Sequence, residues 1–158
     1  MKSSWRIGFS FGLSSGIITT LGLMVGLHSA IDSKLAVIGG ILTIAIADAF
    51  SEAMSIHISQ EYENHNTQKE VWESTFSTFL SKFIFSSMFI IPVLLFNLHQ
   101  AIFISISIGL YLIFMVSLVI ARERKEAAWK VIGEHLSIAI MVIVLTHFVG
   151  DLISKLCG

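Results

Sequence analysis

Two carboxylates stand one helical turn apart in an otherwise apolar stretch, ADAFSEA at residues 47–53. An ionised carboxylate at bilayer depth costs roughly 2.5 to 3.5 kcal/mol or more, so such groups usually face a cavity, a partner or a cation. Two neighbouring acids also repel each other when both are ionised, which favours proton uptake by one of them. Asp48 and Glu52 are therefore the leading candidates for a site that exchanges a cation for protons.

Further oxygen donors follow on the same helix face. Each residue advances about 100° around an α-helix, which places Ser55 and Ser59 within roughly 40° of Asp48. Hydroxyl and carboxylate oxygens suit hard divalent cations, and a nearby imidazole shifts the preference towards iron or manganese. His57 lies on roughly the opposite side of the helix, so it reaches Asp48 and Glu52 only if another helix or subunit intervenes. The alternative is a buried acid network satisfied by hydroxyls or by a histidine.

Three residues outside this helix are secondary candidates. His147 precedes Asp151 by four residues, so the two side chains can meet on one helix face near the outer end. Glu63 and Glu70 belong to a polar, mildly acidic stretch placed to attract cations; it also holds Glu61, His65 and Glu73. Solvated surface charge is the alternative for that stretch, and a surface ion pair is the alternative for His147.

The elements that must position these residues are membrane-spanning helices. The chain has 158 residues, of which 54% are hydrophobic and 13% charged, and its mean hydropathy is +0.82. A hydrocarbon core of about 30 Å requires about 20 helical residues. We therefore predict an all-α polytopic membrane protein with a single transmembrane domain over 1–158. Its five helices are expected near 5–27, 35–58, 76–96, 101–121 and 132–152, with a cytoplasmic loop at 59–74.

The distribution of basic residues predicts the orientation, because Lys and Arg collect in cytoplasmic segments. An inside amino terminus gives eight cytoplasmic basic residues: Lys2, Arg6, Lys69, Lys82, Arg122, Arg124, Lys125 and Lys130. Only Lys34 and Lys155 then lie outside. We therefore expect an N-in, C-out topology.

Composition also excludes several functions. The formal net charge is −1 without a basic block, so we expect no nucleic-acid partner. Cys157 is the single cysteine, which excludes an internal disulfide. The chain lacks a GxxxxGK[ST] phosphate-binding loop, so transport would depend on ion gradients, and we predict no enzymatic activity.

Gly8, Gly12 and Gly16 repeat at four-residue spacing in the first predicted helix. Such small-xxx-small rows let helix backbones approach closely in lipid. Packing within one chain and a seam between two copies are equally compatible with this spacing. The predicted arrangement is a homodimer with these glycines at its seam, so the expected partners are a second copy and the bilayer.

Two sequence patterns resemble the vacuolar iron transporter family. They are GLSSGIITTLGL at 12–23, followed by GL at 26–27, and AIADAFS at 45–51. The likeness is clearest over residues 11–59, and the five-helix, N-in topology extends it over the chain. It implies a dimer with a metal path near the interface that carries ferrous iron or manganese out of the cytoplasm against protons. The metal is then cargo, and no cofactor is bound permanently.

The chain departs from the family pattern at two site positions. Ser15 stands where the family has an aspartate in its first helix, and Glu52 stands where the second-helix motif has a methionine. The metal-binding domain that many members insert between the second and third helices is reduced here to a short loop. The resemblance therefore predicts a more oxygen-rich site, in which Glu52 compensates for the acid that is missing at Ser15.

The sequence thus predicts a proton-coupled exporter of a divalent transition metal, with Asp48, Glu52, Ser55, Ser15 and His57 along the ion path. A non-transporting dimeric scaffold or regulatory protein is one alternative. A proton-coupled carrier of small organic cations is another, which a roomy aromatic cavity would favour. The expected location is the cell membrane of a prokaryote, or a vacuolar or other endomembrane of a eukaryote.

Overall fold

The computed structural model describes residues 3–63 and 66–157. These residues form six α-helices and no strand. The helices are α1 (Ser3–Ile31), α2 (Lys34–Tyr62), α3 (Gln68–Ser87), α4 (Ile90–Leu95), α5 (Leu98–Arg124) and α6 (Ala128–Cys157). Five spans are long and apolar enough to cross a membrane, and the third consists of α3 and α4 together. The prediction of an all-α, multi-pass membrane protein is confirmed.

The third span is interrupted by a proline. Pro92 lacks an N–H, and a proline ring clashes with the carbonyl four residues earlier, here that of Met88. The helix accordingly breaks at this point and resumes as α4. The Lys34 ammonium donates hydrogen bonds to the carbonyls of Leu94 at 3.3 Å and Phe96 at 3.1 Å. It thereby satisfies backbone groups that the end of α4 leaves unpaired.

The predicted loop at 59–74 is wrong, because most of it is helical. Helix α2 continues to Tyr62 and α3 already begins at Gln68. A capping box starts α3: the Thr67 N–H donates to Glu70 Oε2 at 2.9 Å, and the Glu70 N–H donates to Thr67 Oγ1 at 3.4 Å. Polar residues that suggested a loop therefore lie on helix faces. The other four predicted spans fall within longer helices.

The earlier start of α3 changes the position of Lys82. This residue lies fourteen positions after Gln68 and thirteen before Leu95, at the middle of the third span. It is therefore not a loop charge, and its assignment to a cytoplasmic segment is wrong. Seven basic residues against two still favour an N-in orientation, which stays a prediction.

The chain divides into two compact units. The first unit comprises Met1–Ile17 and Leu42–Met88, and the second comprises Ile18–Ile41 and Phe89–Gly158. Helices α1 and α2 each contribute to both units. Each unit is described separately below.

In the first unit, the glycines of α1 pack against α3. A Cβ added at Gly8 would strike the carbonyl oxygen of Ser74, and one at Gly12 would strike that of Thr78. A Cβ at Gly16 would lie 3.2 Å from the carbonyl oxygen of Lys82. The glycine row therefore serves packing within one chain, and its assignment to a dimer seam is wrong. The prediction of a homodimer itself stays a prediction.

A stripe of small hydroxyl residues on α3 faces these glycines. Its buried members are Ser74, Ser77, Thr78, Ser81 and Ser86. The Ser77 hydroxyl donates to the Trp5 carbonyl at 2.8 Å, and the Ser86 hydroxyl donates to the Gly16 carbonyl at 3.3 Å. Close backbone approach combined with interhelical hydrogen bonds is typical of helix association in lipid.

In the second unit, the later part of α1 packs on α6 in the same manner. A Cβ added at Gly150 would strike the carbonyl oxygen of Gly26. Helices α5 and α6 are joined by a hydrogen bond of 2.8 Å between the Ser117 hydroxyl and His135 Nδ1. Small side chains and hydroxyls therefore lie at helix contacts in both units.

Candidate functional site

The candidate site is an ion-pair cluster in the first unit, at the middle of the membrane spans. Lys82 Nζ of α3 lies 2.6 Å from Asp48 Oδ2 and 2.5 Å from Glu52 Oε1, both on α2. The Lys82 side chain is fully buried. Asp48 stands fourteen residues from either end of the second span, so it also lies at mid-depth. Asp48, Glu52 and Lys82 are called the Lys82 triad below.

Ser15 of α1 completes the arrangement. Lys82 Nζ donates a hydrogen bond to Ser15 Oγ at 2.9 Å, and the Ser15 hydroxyl donates to Glu52 Oε1. The ammonium therefore has three oxygen partners, which matches its three donors. The structure thus brings Ser15, Asp48 and Glu52 together around one ammonium, and their place on an ion path stays a prediction.

Small residues on the packed helices allow the three side chains to meet. Ala45, Ala49 and Ala53 of α2 are buried, and they repeat at four-residue spacing on the helix that carries both acids. On α1, Gly12 and Gly16 flank Ser15 and let α3 approach closely. The local sequence thus provides smooth helix faces between which one long cationic side chain is enclosed.

The electrostatics of the triad leave room for another positive charge. Two carboxylates and one ammonium sum to −1 when all three are ionised. Glu52 Oε2 is buried and has no hydrogen-bond partner among the described residues. The two carboxylates are not sealed, since the side chains of Asp48 and Glu52 are 32% and 19% exposed. A proton or a cation can therefore be added at these oxygens.

Two residues predicted for the ion path lie outside the triad. The Ser55 hydroxyl donates to the Ser51 carbonyl of its own helix at 2.9 Å. His57 Nδ1 lies 2.9 Å from Thr75 Oγ1, and its Nε2 lies 3.4 Å from Glu61 Oε1. The structure therefore brings neither residue to the triad, as helix geometry indicated for His57, and their place on an ion path stays a prediction. Ser55 satisfies its hydroxyl within its own helix, a common habit of serine in membrane helices, and His57 lies on another face of α2.

The secondary candidates Glu63 and Glu70 have local roles. Glu70 is part of the capping box of α3. Glu63 Oε2 accepts a hydrogen bond of 3.0 Å from Asn66 Nδ2 in the short connection between α2 and α3. His65 lies outside the described residues. The mildly acidic stretch therefore contributes to the structure of the connection.

His147 lies in the second unit, apart from the triad. Its Nε2 is 3.7 Å from Asp151 Oδ2, so the predicted contact between these two residues is confirmed. Its Nδ1 lies 2.5 Å from Ser29 Oγ. Across the described residues, no three His, Cys, Asp or Glu side chains form a ready cage for a metal ion.

Sequence reasoning missed Lys82, the residue that organises the site. The predicted span began at 76, which placed Lys82 near a membrane surface. A readable signal was present, because Thr67 and Glu70 have the spacing of a capping box and thus mark a helix start at 68. From that start, a lone lysine at mid-span requires acidic partners, and Asp48 and Glu52 are available at the same depth.

An aromatic groove of about 520 Å³ also lies in the first unit. Its lining residues are Phe50, Ala53, Met54, His57, Trp72, Thr75, Phe76 and Phe79. None of the Lys82 triad lines this groove. An aromatic groove is the feature that favours a carrier of small organic cations, but the acids do not line it, so that alternative stays a prediction.

Comparisons with protein-family models, with curated proteins and with solved structures find no match to this chain. The resemblance to vacuolar iron transporters therefore stays a prediction from the sequence. The function is inferred from the geometry of the triad.

Proposed function

We propose that the chain is a membrane transporter for a divalent cation, in which the Lys82 ammonium fills the cation position while no cargo is bound. The observation that carries the proposal is the fully buried ammonium between Asp48 and Glu52 at mid-span. Charged groups at this depth are costly and usually mark an ion or proton path. The cargo would displace Lys82 from the two carboxylates.

The donor set suits the class of cargo that the sequence resemblance implies. Asp48 and Glu52 supply carboxylate oxygens, and Ser15 supplies a hydroxyl oxygen. Such oxygen donors bind manganous ion well and also accept ferrous ion. In the proposal, Glu52 takes the place of the acid that the family pattern has at the position of Ser15.

Charge balance couples cargo to protons. A divalent ion brings two positive charges to the triad, and two departing protons carry the same charge away. Because a net charge at mid-depth is costly, we expect one divalent ion to exchange for two protons.

The direction of transport follows from the predicted orientation. An inside amino terminus and an inward proton gradient would drive the cation out of the cytoplasm. The expected setting is a homodimer, as the resemblance implies, with the triad present in each copy.

The test is ion flux in liposomes that contain the purified full chain. Manganous or ferrous uptake should rise with an opposing proton gradient and should be accompanied by two protons per ion. Asp48→Asn and Glu52→Gln should each reduce the flux at least tenfold, because each removes a carboxylate that the ion needs. The matched control is Glu134→Gln, since Glu134 is exposed on α6, and it should transport like the unmodified protein.

Two outcomes overturn the proposal. Flux that persists in the Asp48→Asn, Glu52→Gln double variant removes the triad from the transport path. A properly folded protein that moves neither ion at any pH gradient would favour the scaffold alternative, in which the triad only holds helices together.

A further inference from the structure

Three histidines of the second unit line one cavity of about 470 Å³. His28 lies near the end of α1, His99 lies near the start of α5, and His147 lies in α6. The cavity walls are otherwise almost entirely apolar, apart from Ser29. Imidazoles gathered from three helices are unusual in such surroundings, since neither lipid contact nor apolar packing requires them.

Carboxylates accompany two of these imidazoles. His28 Nδ1 lies 2.8 Å from Asp32 Oδ1, and His147 Nε2 lies 3.7 Å from Asp151 Oδ2. His28 Nδ1 is nevertheless buried without a hydrogen-bond partner among the described residues. The two aspartates therefore place negative charge beside the rings without satisfying that nitrogen.

The charge around the cavity also favours a cation. With neutral imidazoles, Asp32 and Asp151 contribute two negative charges. The nearest basic residue in sequence is Lys34, and its ammonium is engaged by the carbonyls of Leu94 and Phe96. Unlike the Lys82 triad, this group of side chains holds no internal ammonium.

The spacing of two rings fits a shared ion. The ring centroids of His28 and His99 are 5.8 Å apart, with planes tilted by 59°. A nitrogen-bound metal lies about 2.0 to 2.1 Å from its ligand atom and hence about 3.2 Å from the ring centroid. The ring centroids of two imidazoles on one ion are then about 5.2 Å apart when the two metal–nitrogen bonds form a tetrahedral angle. They are at most about 6.4 Å apart, when the ion lies on the line between them. The observed separation falls within these limits.

We propose that His28 and His99 form a second cation site, an open transition-metal site with two imidazole ligands. Imidazole selects borderline metals such as zinc, iron, nickel and cobalt over magnesium or calcium. His99 is exposed, so its ring can turn towards the ion. Because the site has few protein ligands and is open, the ion exchanges readily. The proposal does not depend on transport by the triad.

The experiment is a titration of the untagged full chain in detergent with Co²⁺, followed by calorimetry and by visible absorption. An Asp48→Asn, Glu52→Gln, Lys82→Met background removes the triad without leaving a buried charge, so any binding there is independent of the proposed transport site. In that background, we expect about one Co²⁺ per chain, and the His28→Gln, His99→Gln double substitution should weaken binding at least tenfold. Two controls should leave it unchanged: His147→Gln, whose ring nitrogens lie against Ser29 and Asp151, and His135→Gln, outside the cavity.

The pH dependence provides a second measurement that does not require a variant. Imidazole ligation should weaken as the solution is acidified, because protons compete with the metal for the ring nitrogens. Binding by carboxylates alone should be less sensitive to mild acidification. Absence of Co²⁺ binding, or binding that survives both acidification and the single His28→Gln and His99→Gln substitutions, would overturn the proposal. Circular dichroism of each variant checks that the helices are retained.

Discussion

The two units differ in the groups that lie beside their acidic side chains. In the first unit, the acids Asp48 and Glu52 hold a cation that belongs to the chain, the ammonium of Lys82. In the second unit, Asp32 and Asp151 face imidazoles that are uncharged unless protonated. A site that already holds an ammonium of the chain binds another cation only by displacing that ammonium. A site of acids and neutral imidazoles can bind a cation directly. The difference predicts slow, selective binding in one unit and rapid, weaker binding in the other.

Removing the internal cation of the first unit should have the largest effect. Lys82→Met should leave two carboxylates at mid-span without their partner, at a cost of about 3 to 5 kcal/mol in unfolding free energy. The measurement is unfolding of the purified protein in detergent by a graded denaturant. Lys155→Met is the control, because Lys155 is exposed near the end of α6.

A rescue experiment distinguishes lost charge balance from lost packing. Adding Asp48→Asn to Lys82→Met should restore part of the stability, since only one carboxylate is then left unpaired. If the double variant is as unstable as the sum of the two single variants, charge balance is not the reason for the position of Lys82.

The next effect concerns the close helix packing that brings Ser15 to Lys82. Gly12→Ala places a Cβ against the Thr78 carbonyl of α3, so we expect a loss of about 1 to 3 kcal/mol from overpacking. Gly133→Ala is the matched control, because a Cβ there meets nothing within 4 Å. Equal stability of the two variants would show that α1 and α3 are not held at the distance described here.

The smallest effect is expected at the capping box that sets the start of α3. Thr67→Ala removes the hydroxyl that accepts from the Glu70 N–H and should cost about 1 kcal/mol. The effect should be local and leave the triad unchanged, so cation flux should be retained while hydrogen exchange accelerates in the first turn of α3. Unaltered exchange there would show that the cap is not formed in the membrane.

Much of the fold could be predicted from hydropathy alone, and the reason is physical. A span needs only length and apolar composition, both of which are local properties, and the five spans follow from them. Asp48 and Glu52 were also accessible, because charges in an apolar stretch are evident without a structure. The start of α3 was missed since hydropathy averages across polar residues that are nevertheless helical, such as Glu70 and Glu73.

The contacts between helices could not be predicted in the same way. The spacing of Gly8, Gly12 and Gly16 indicates a smooth face, but it does not say whether the neighbour is α3 or a second copy. Which neighbour packs there depends on the hydroxyl residues of α3. They lie opposite the glycines only when α1 and α3 are in the observed register. The partnership of Lys82 with Asp48 depends in turn on the register of α2 against α3, which hydropathy does not give.

The mid-span position of Lys82 has a consequence for how the protein is made. Insertion of a lysine at the centre of a lone helix costs about 2.5 to 3.5 kcal/mol, and an aspartate costs a similar amount. Helices α2 and α3 are consecutive and joined by a short connection, so their opposite charges can pair before either helix is released into lipid. The two helices should therefore leave the translocation machinery together, as a hairpin. Separating the synthesis of α2 from that of α3 would leave each half poorly inserted, even though both are apolar along most of their length.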